Sequence, residues 1–153
     1  MEKGKPNLIA LDAPSYKGDF HAVDLNWEDS INTWIKQVKD LKGKIVGHSV
    51  GASVALLANL EGELYSPSPI FKETIHLLTG EMKEKLGDKL KEIESLSLDD
   101  VKVKPKIIYV GEKEPSLMKE TAKIISERLG CKMEVLKGKD HGDVIDHSGI
   151  VSE

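Results

Sequence analysis

Lys44-Ile45-Val46-Gly47-His48-Ser49-Val50-Gly51-Ala52-Ser53-Val54-Ala55-Leu56-Leu57-Ala58 decides the fold. A short apolar run enters Gly47-His48-Ser49-Val50-Gly51, and an alanine- and leucine-rich run leaves it. The pattern predicts a strand, a sharp turn with a serine at its apex, and a helix. Such a turn crowds the backbone, so the positions two before and two after the serine must be nearly free of side chain, as Gly47 and Gly51 are. The helix then aims its first N–H groups and the positive end of its dipole at the serine. Ser49 is the candidate nucleophile, and the Val50 N–H is the first candidate donor to an oxyanion formed there. At ordinary glycine and serine usage the five-residue pattern alone arises by accident in roughly one chain in fifteen of this length. The apolar strand before it and the helix former after it therefore carry the weight, against the plain reading of an ordinary tight turn.

Outward from this turn the chain alternates strand and helix. Asn7 to Asp12 reads as a buried strand ended by the loop Ala13 to Gly18, where Asp12 is expected to fix the loop through local hydrogen bonds. Trp27 to Leu41 carries Ile31, Trp34, Ile35, Val38 and Leu41 at helical spacing. Strands are expected at 44 to 47, Glu63 to Ser66, Lys106 to Val110 and Lys132 to Leu136, with helices at about 50 to 60 and 116 to 129. These are βα repeats, which predict an α/β fold with a mostly parallel sheet and connecting helices in a single domain over 1–153. The helical stretch 70–98 reads either as a short cap or as helices covering one sheet face.

Charge and composition narrow the function. Lys and Arg number 22 against 26 Asp and Glu, a net charge of −4, so no basic footprint for nucleic acid exists. Cys131 is the only cysteine, which excludes an internal disulfide. No apolar run reaches bilayer length, and Met1-Glu2-Lys3-Gly4-Lys5 lacks the apolar core of a signal peptide, so a cytoplasmic protein is expected.

A serine hydroxyl needs an imidazole to take its proton and a carboxylate to orient that imidazole. Residues just past the C-terminal ends of parallel strands converge on one rim, and Ser49, Glu114 and His141 all fall there, in the order nucleophile, acid, histidine. Glu112 is the alternative acid. His48 is expected to pack or to support the turn, His21 and His76 to face solvent, and His147 lies further along the tail. His141, Asp143, Asp146 and His147 lack a defined tetrahedral spacing, so neither metal nor other cofactor is expected.

Through Gly47-His48-Ser49-Val50-Gly51, then Tyr109-Val110-Gly111-Glu112-Lys113-Glu114, then Asp140-His141-Gly142, the chain resembles the α/β-hydrolase family over most of residues 7 to 147. The resemblance implies a reduced α/β-hydrolase fold and a Ser-His-acid triad, with Glu114 standing where most members have aspartate. Members ordinarily begin with further strands, one of whose loops supplies the second oxyanion donor. If the first strand here pairs beside the 44–47 strand, the loop Ala13 to Lys17 is the local replacement, and the N–H of Ser15 or Tyr16 is the candidate; Pro14 has none to give. The implied activity is a serine carboxylesterase or thioesterase acting through an acyl-enzyme on a small-molecule ester or thioester, with amide and lactone substrates left open. The rival is a noncatalytic binding or scaffold protein on the same fold. If the strands run in simple spatial order, right-handed crossovers put every helix on one face; Phe20, Val23 and Leu25 either cover part of the other face or form another short strand, and a homodimer burying that face is expected.

Overall fold

The structure, a computed structural model, describes residues 4–152. Met1 to Lys3, on which part of the leader reading rests, lie outside the described residues, as does Glu153.

The described residues form six strands in one sheet: β1 (Asn7–Leu11), β2 (His21–Leu25), β3 (Ile45–His48), β4 (Glu63–Tyr65), β5 (Ile107–Gly111) and β6 (Lys132–Leu136). Their spatial order is β2-β1-β3-β4-β5-β6, and every pairing is parallel. The helices are α1 (Ile31–Val38), α2 (Val50–Leu57), α3 (Gly80–Leu86), α4 (Lys89–Ile93) and α5 (Ser116–Leu129). Leu8, Ile9 and Ala10 are wholly buried, because β1 is a central strand covered on both faces and so reads as an unbroken apolar run.

The order is not simple, and this corrects the expectation of a bare face. The chain steps one way from β1 to β2 and the other way from β2 onward. With right-handed crossovers, that reversal sends the β1–β2 connection to the face opposite the helices. Accordingly α1, α2 and α5 pack with Ile9, Ile45, Leu64 and Ile108 in one cluster. On the other face Leu8, Ala10, Val46 and Tyr65 are covered by Ala13, Tyr16 and Phe20 of that connection and by Val144, Ile145 and Ile150 near the C-terminus. Lys17 and Val151 exchange two backbone hydrogen bonds of 2.7 and 2.9 Å, which stitch the two covering segments together.

The 70–98 stretch packs into the helical face. Phe71, Leu78, Leu86, Ile93 and Leu98 join the same cluster as α1 and α2. The Glu92 carboxylate accepts from the N–H groups of Ile31 and Asn32, both at 3.1 Å, so α4 caps the start of α1. Helix α1 itself is shorter than the 27–41 stripe. Ser30 accepts from the Thr33 N–H and starts it, leaving Trp27 on the preceding turn. No helix among the described residues is long and apolar enough to cross a membrane.

Candidate active site

The turn after β3 has the crowding that its glycines imply. A Cβ on Gly47 would come within 2.7 Å of the Ala52 Cα, and one on Gly51 would lie 1.7 Å from the Ile9 carbonyl oxygen. Ser49 takes φ 57°, a strained region for a side-chain-bearing residue, held by its N–H bond to Tyr65 O at 2.9 Å. Helix α2 begins at Val50, whose N–H is among the first-turn donors without an intrahelical acceptor.

Three groups remote in sequence meet at this point. The His141 Nε2 lies 3.0 Å from Ser49 Oγ, and its Nδ1 lies 2.6 Å from Glu114 Oε1. The Glu114 side chain is fully buried. Burial alone would raise its carboxyl, but hydrogen bonds from His141, Ser66 and the Gly111 N–H outweigh that and hold it below the usual carboxylate range. An ionised carboxylate only accepts, so Nδ1 donates to Glu114 and Nε2 is the nitrogen that faces the serine hydroxyl. The extra methylene of glutamate lets Oε2 fold back onto the Gly111 N–H at 2.6 Å while Oε1 meets the imidazole.

The loop bearing His141 is braced from within and from below. Asp140 and Asp143 each accept the other's backbone N–H, at 2.7 and 2.9 Å, and Val144 and Ile145 anchor the loop in the second cluster. His48 Nε2 lies 2.8 Å from the His141 carbonyl, and its Nδ1 lies 2.8 Å from the Tyr16 hydroxyl. A carbonyl cannot donate, so Nε2 carries the proton and Tyr16 donates to Nδ1. Burial first, and the neighbouring His141 second, lower the His48 pKa to about 4, so the ring is neutral near pH 7. Burial likewise raises the Tyr16 phenol, which keeps its proton.

The sequence pattern of the lipase (class 3) family matches residues 13–94, more than half of the chain and the whole of the turn around Ser49. The chain belongs to the class 3 lipase family. Two solved structures share the fold at low identity. One is an α/β hydrolase enzyme from the metagenome of sediments from the lagoon of Mar Chica, Morocco, with TM-score 0.63 and 15% identity, covering 95% of this chain and 85% of that one. The other is a serine hydrolase involved in carbazole degradation, with TM-score 0.62 and 15% identity over 96% of this chain and 87% of that one. No curated protein matches the chain. Family and fold make this class 3 lipase relative an α/β-hydrolase and an esterase-like enzyme. Glu114 and His141 lie beyond the matched segment, so only geometry connects them to Ser49.

The remaining sequence candidates separate clearly. Ser15 and Tyr16 are not free oxyanion donors: their N–H groups bond to the carbonyls of Asp12 and Ala13, at 3.0 and 3.2 Å, because Ala13–Ser15 folds as a 3-10 turn. Asp12 fixes this turn through its carbonyl, while the Asp24 carboxylate takes the Ala13 N–H. Glu112 is turned away from His141 and accepts from the Gly138 N–H at 2.8 Å. His147 sits on the far face with its ring 4.7 Å from that of Tyr109, and His21 and His76 are exposed.

Two serines went unread in the sequence. The Ser66 hydroxyl donates to Glu114 and lies 3.0 Å from His141 Nδ1, and the Ser68 hydroxyl lies 3.1 Å from Ser49 Oγ. Both follow β4, on the same strand-end rim as the other site residues, and that position was the available signal.

Proposed function

We infer that the protein is a carboxylesterase or thioesterase that cleaves a small acyl substrate through Ser49, His141 and Glu114. The observation that carries this is the His141 imidazole bridging Ser49 Oγ at 3.0 Å and Glu114 Oε1 at 2.6 Å. Ser49 Oγ attacks the substrate carbonyl carbon and its proton passes to His141 Nε2. The Val50 N–H faces the resulting oxyanion, and the Ser68 hydroxyl takes the second donor role in place of Ser15 and Tyr16. As the intermediate collapses, the bond to the leaving oxygen or sulfur breaks and His141 returns the proton to that atom. Water then attacks the acyl-enzyme, gives a proton to His141, and releases the acid and the serine hydroxyl. Glu114 stays ionised throughout and steadies the imidazolium.

The test is labelling with a fluorophosphonate probe alongside turnover of p-nitrophenyl esters. The wild-type protein is expected to label at Ser49, and Ser49→Ala to lose labelling and at least ~10³-fold in kcat while keeping its circular dichroism. A folded wild-type protein that neither labels nor turns over any short ester would overturn the catalytic reading in favour of a binding protein.

A further inference from the structure

We propose that the apolar cavity under α3, beside Ser49, is the acyl slot of the enzyme and that it limits the acyl group to about six carbons. This rests on Ser49 being the nucleophile. The cavity is half open to solvent, has a volume of about 130 Å³ and is walled by Trp27, Val50, Ile70, Leu78, Met82 and Leu86. Val50 follows Ser49 in sequence, and Ser68, which also lines the cavity, reaches Ser49 Oγ at 3.1 Å, so the slot lies next to the reacting atom.

The direction of the slot follows from proton transfer. The leaving atom must face His141 Nε2 to receive its proton. No residue of the His141 loop lines the slot. The group entering it therefore lies on the opposite side of the carbonyl, which is the acyl side. Size and chemistry then select the acyl group. A dry cavity of about 150 Å³ accepts benzene, so this slightly smaller one takes a straight or branched chain of about six carbons or fewer, or a single ring at the limit. Ile70, Leu78 and Leu86 are largely buried and form the inner wall of the slot, and they have no side-chain polar atom to pair with a polar tail. Lys85 is exposed on the rim. The substrate class is thus a short, uncharged acyl ester or thioester.

The experiment is a chain-length series of p-nitrophenyl esters from acetate to decanoate, with fluorophosphonate labelling of every variant. We expect kcat/KM to rise about fourfold per methylene while the slot fills, then to stop rising or fall beyond hexanoate. Met82→Trp, at the half-exposed edge, should cut hexanoate turnover at least tenfold and spare acetate, whereas Leu86→Ala should move the optimum to octanoate or longer. A second arm uses Ser49→Ala protein and follows the Met82 methyl resonance during titration with methyl hexanoate, then with methyl acetate. Saturable movement with hexanoate alone supports the slot. A flat chain-length profile, equal losses for both esters in Met82→Trp, or an unmoved Met82 methyl overturns it. If wild-type protein fails to label, the triad reading falls, and the Met82 titration still decides whether the slot binds the acyl chain.

Discussion

His48 Nε2 donates to the backbone carbonyl of His141 at 2.8 Å, so the residue before Ser49 holds the segment that carries the imidazole facing it. The Tyr16 hydroxyl fixes the other nitrogen of the same ring at 2.8 Å, and the two imidazoles lie 5.2 Å apart, tilted against each other. Tyr16, His48 and the His141 backbone form one strut from the β1–β2 connection to the rim. His48 and Tyr16 touch no reacting atom and act by position alone. A displacement of about 1 Å at a reacting group costs on the order of a hundredfold in rate. His48→Ala should therefore lose about two orders of magnitude in kcat, and Tyr16→Phe about one, with KM little changed in either. Steady-state kinetics on a short ester, with near-UV circular dichroism as the control for folding, checks both.

The same ring makes stability depend on pH. Burial holds the folded His48 near pKa 4, below its ordinary 6.5, so between these values the unfolded chain binds the extra proton. Stability from this residue is complete above about 6.5 and falls as pH drops toward 4, by a total of ~3 kcal/mol. Urea unfolding of the wild type should weaken over that window more than unfolding of His48→Gln, which has nothing to titrate there. Parallel curves for the two proteins would contradict a buried neutral ring.

Glu114 acts in the same direction at lower pH. Its folded carboxyl sits below the usual range despite its burial, so its contribution is present above the unfolded value and is lost as pH falls through the depressed one. Ser66→Ala removes one of the three hydrogen bonds that hold the carboxylate ionised, and the folded value rises. The acid-side loss of stability should then be smaller and level off at higher pH than in the wild type, and kcat should drop about tenfold through a less firmly oriented His141. Urea midpoints across the acid range and the pH profile of kcat read the two effects separately.

Much of this was legible because the signals were local. Gly47 and Gly51 declare a close backbone approach, which the structure has at Ala52 and Ile9. Gly130 ends α5 where a left-handed residue is needed, and both α5 and β6 fall on their expected bounds. The features the sequence does not carry are non-local. The N–H groups of Ser15 and Tyr16 were consumed by a 3-10 turn, which no residue spacing announces. The reversal of strand order turns on His21 to Leu25, an edge strand in which only Leu25 is buried, so weak an alternation that cover for the sheet face and a further short strand stay equally open in the sequence. Ser66 and Ser68 have hydroxyls whose partners, Glu114 and His141 for Ser66 and Ser49 for Ser68, are remote in sequence, so their importance exists only after folding.

Ser68 tests the oxyanion assignment. Its hydroxyl lies 3.1 Å from Ser49 Oγ, and its carbonyl accepts from the Ser53 hydroxyl at 2.7 Å, which fixes the segment against α2. If the hydroxyl supplies the second donor, Ser68→Ala should lower kcat about a hundredfold and leave KM nearly unchanged, because a donor to the oxyanion acts only in the transition state. Ser68→Thr keeps a hydroxyl and should retain more of the rate. A loss confined to KM would assign Ser68 to substrate binding instead.

Glu92 joins stability to the slot. Its carboxylate caps α1 at Ile31 and Asn32, and on the preceding turn of α4 the Lys89 ammonium donates to the Trp27 carbonyl at 2.7 Å and lies 4.6 Å from that ring's centroid. Trp27 walls the acyl slot, so the contacts that pin α4 to α1 also set the slot's edge. Removing a capping acceptor costs about 1 kcal/mol, and in a chain of this size that lowers Tm by roughly 2–4 °C. Glu92→Ala should show that drop, and it should raise KM for hexanoate esters severalfold while acetate turnover stays level. Differential scanning calorimetry paired with the two-ester comparison checks the linkage. A lowered Tm with both KM values unchanged would confine Glu92 to the helix cap and separate α4 from substrate binding.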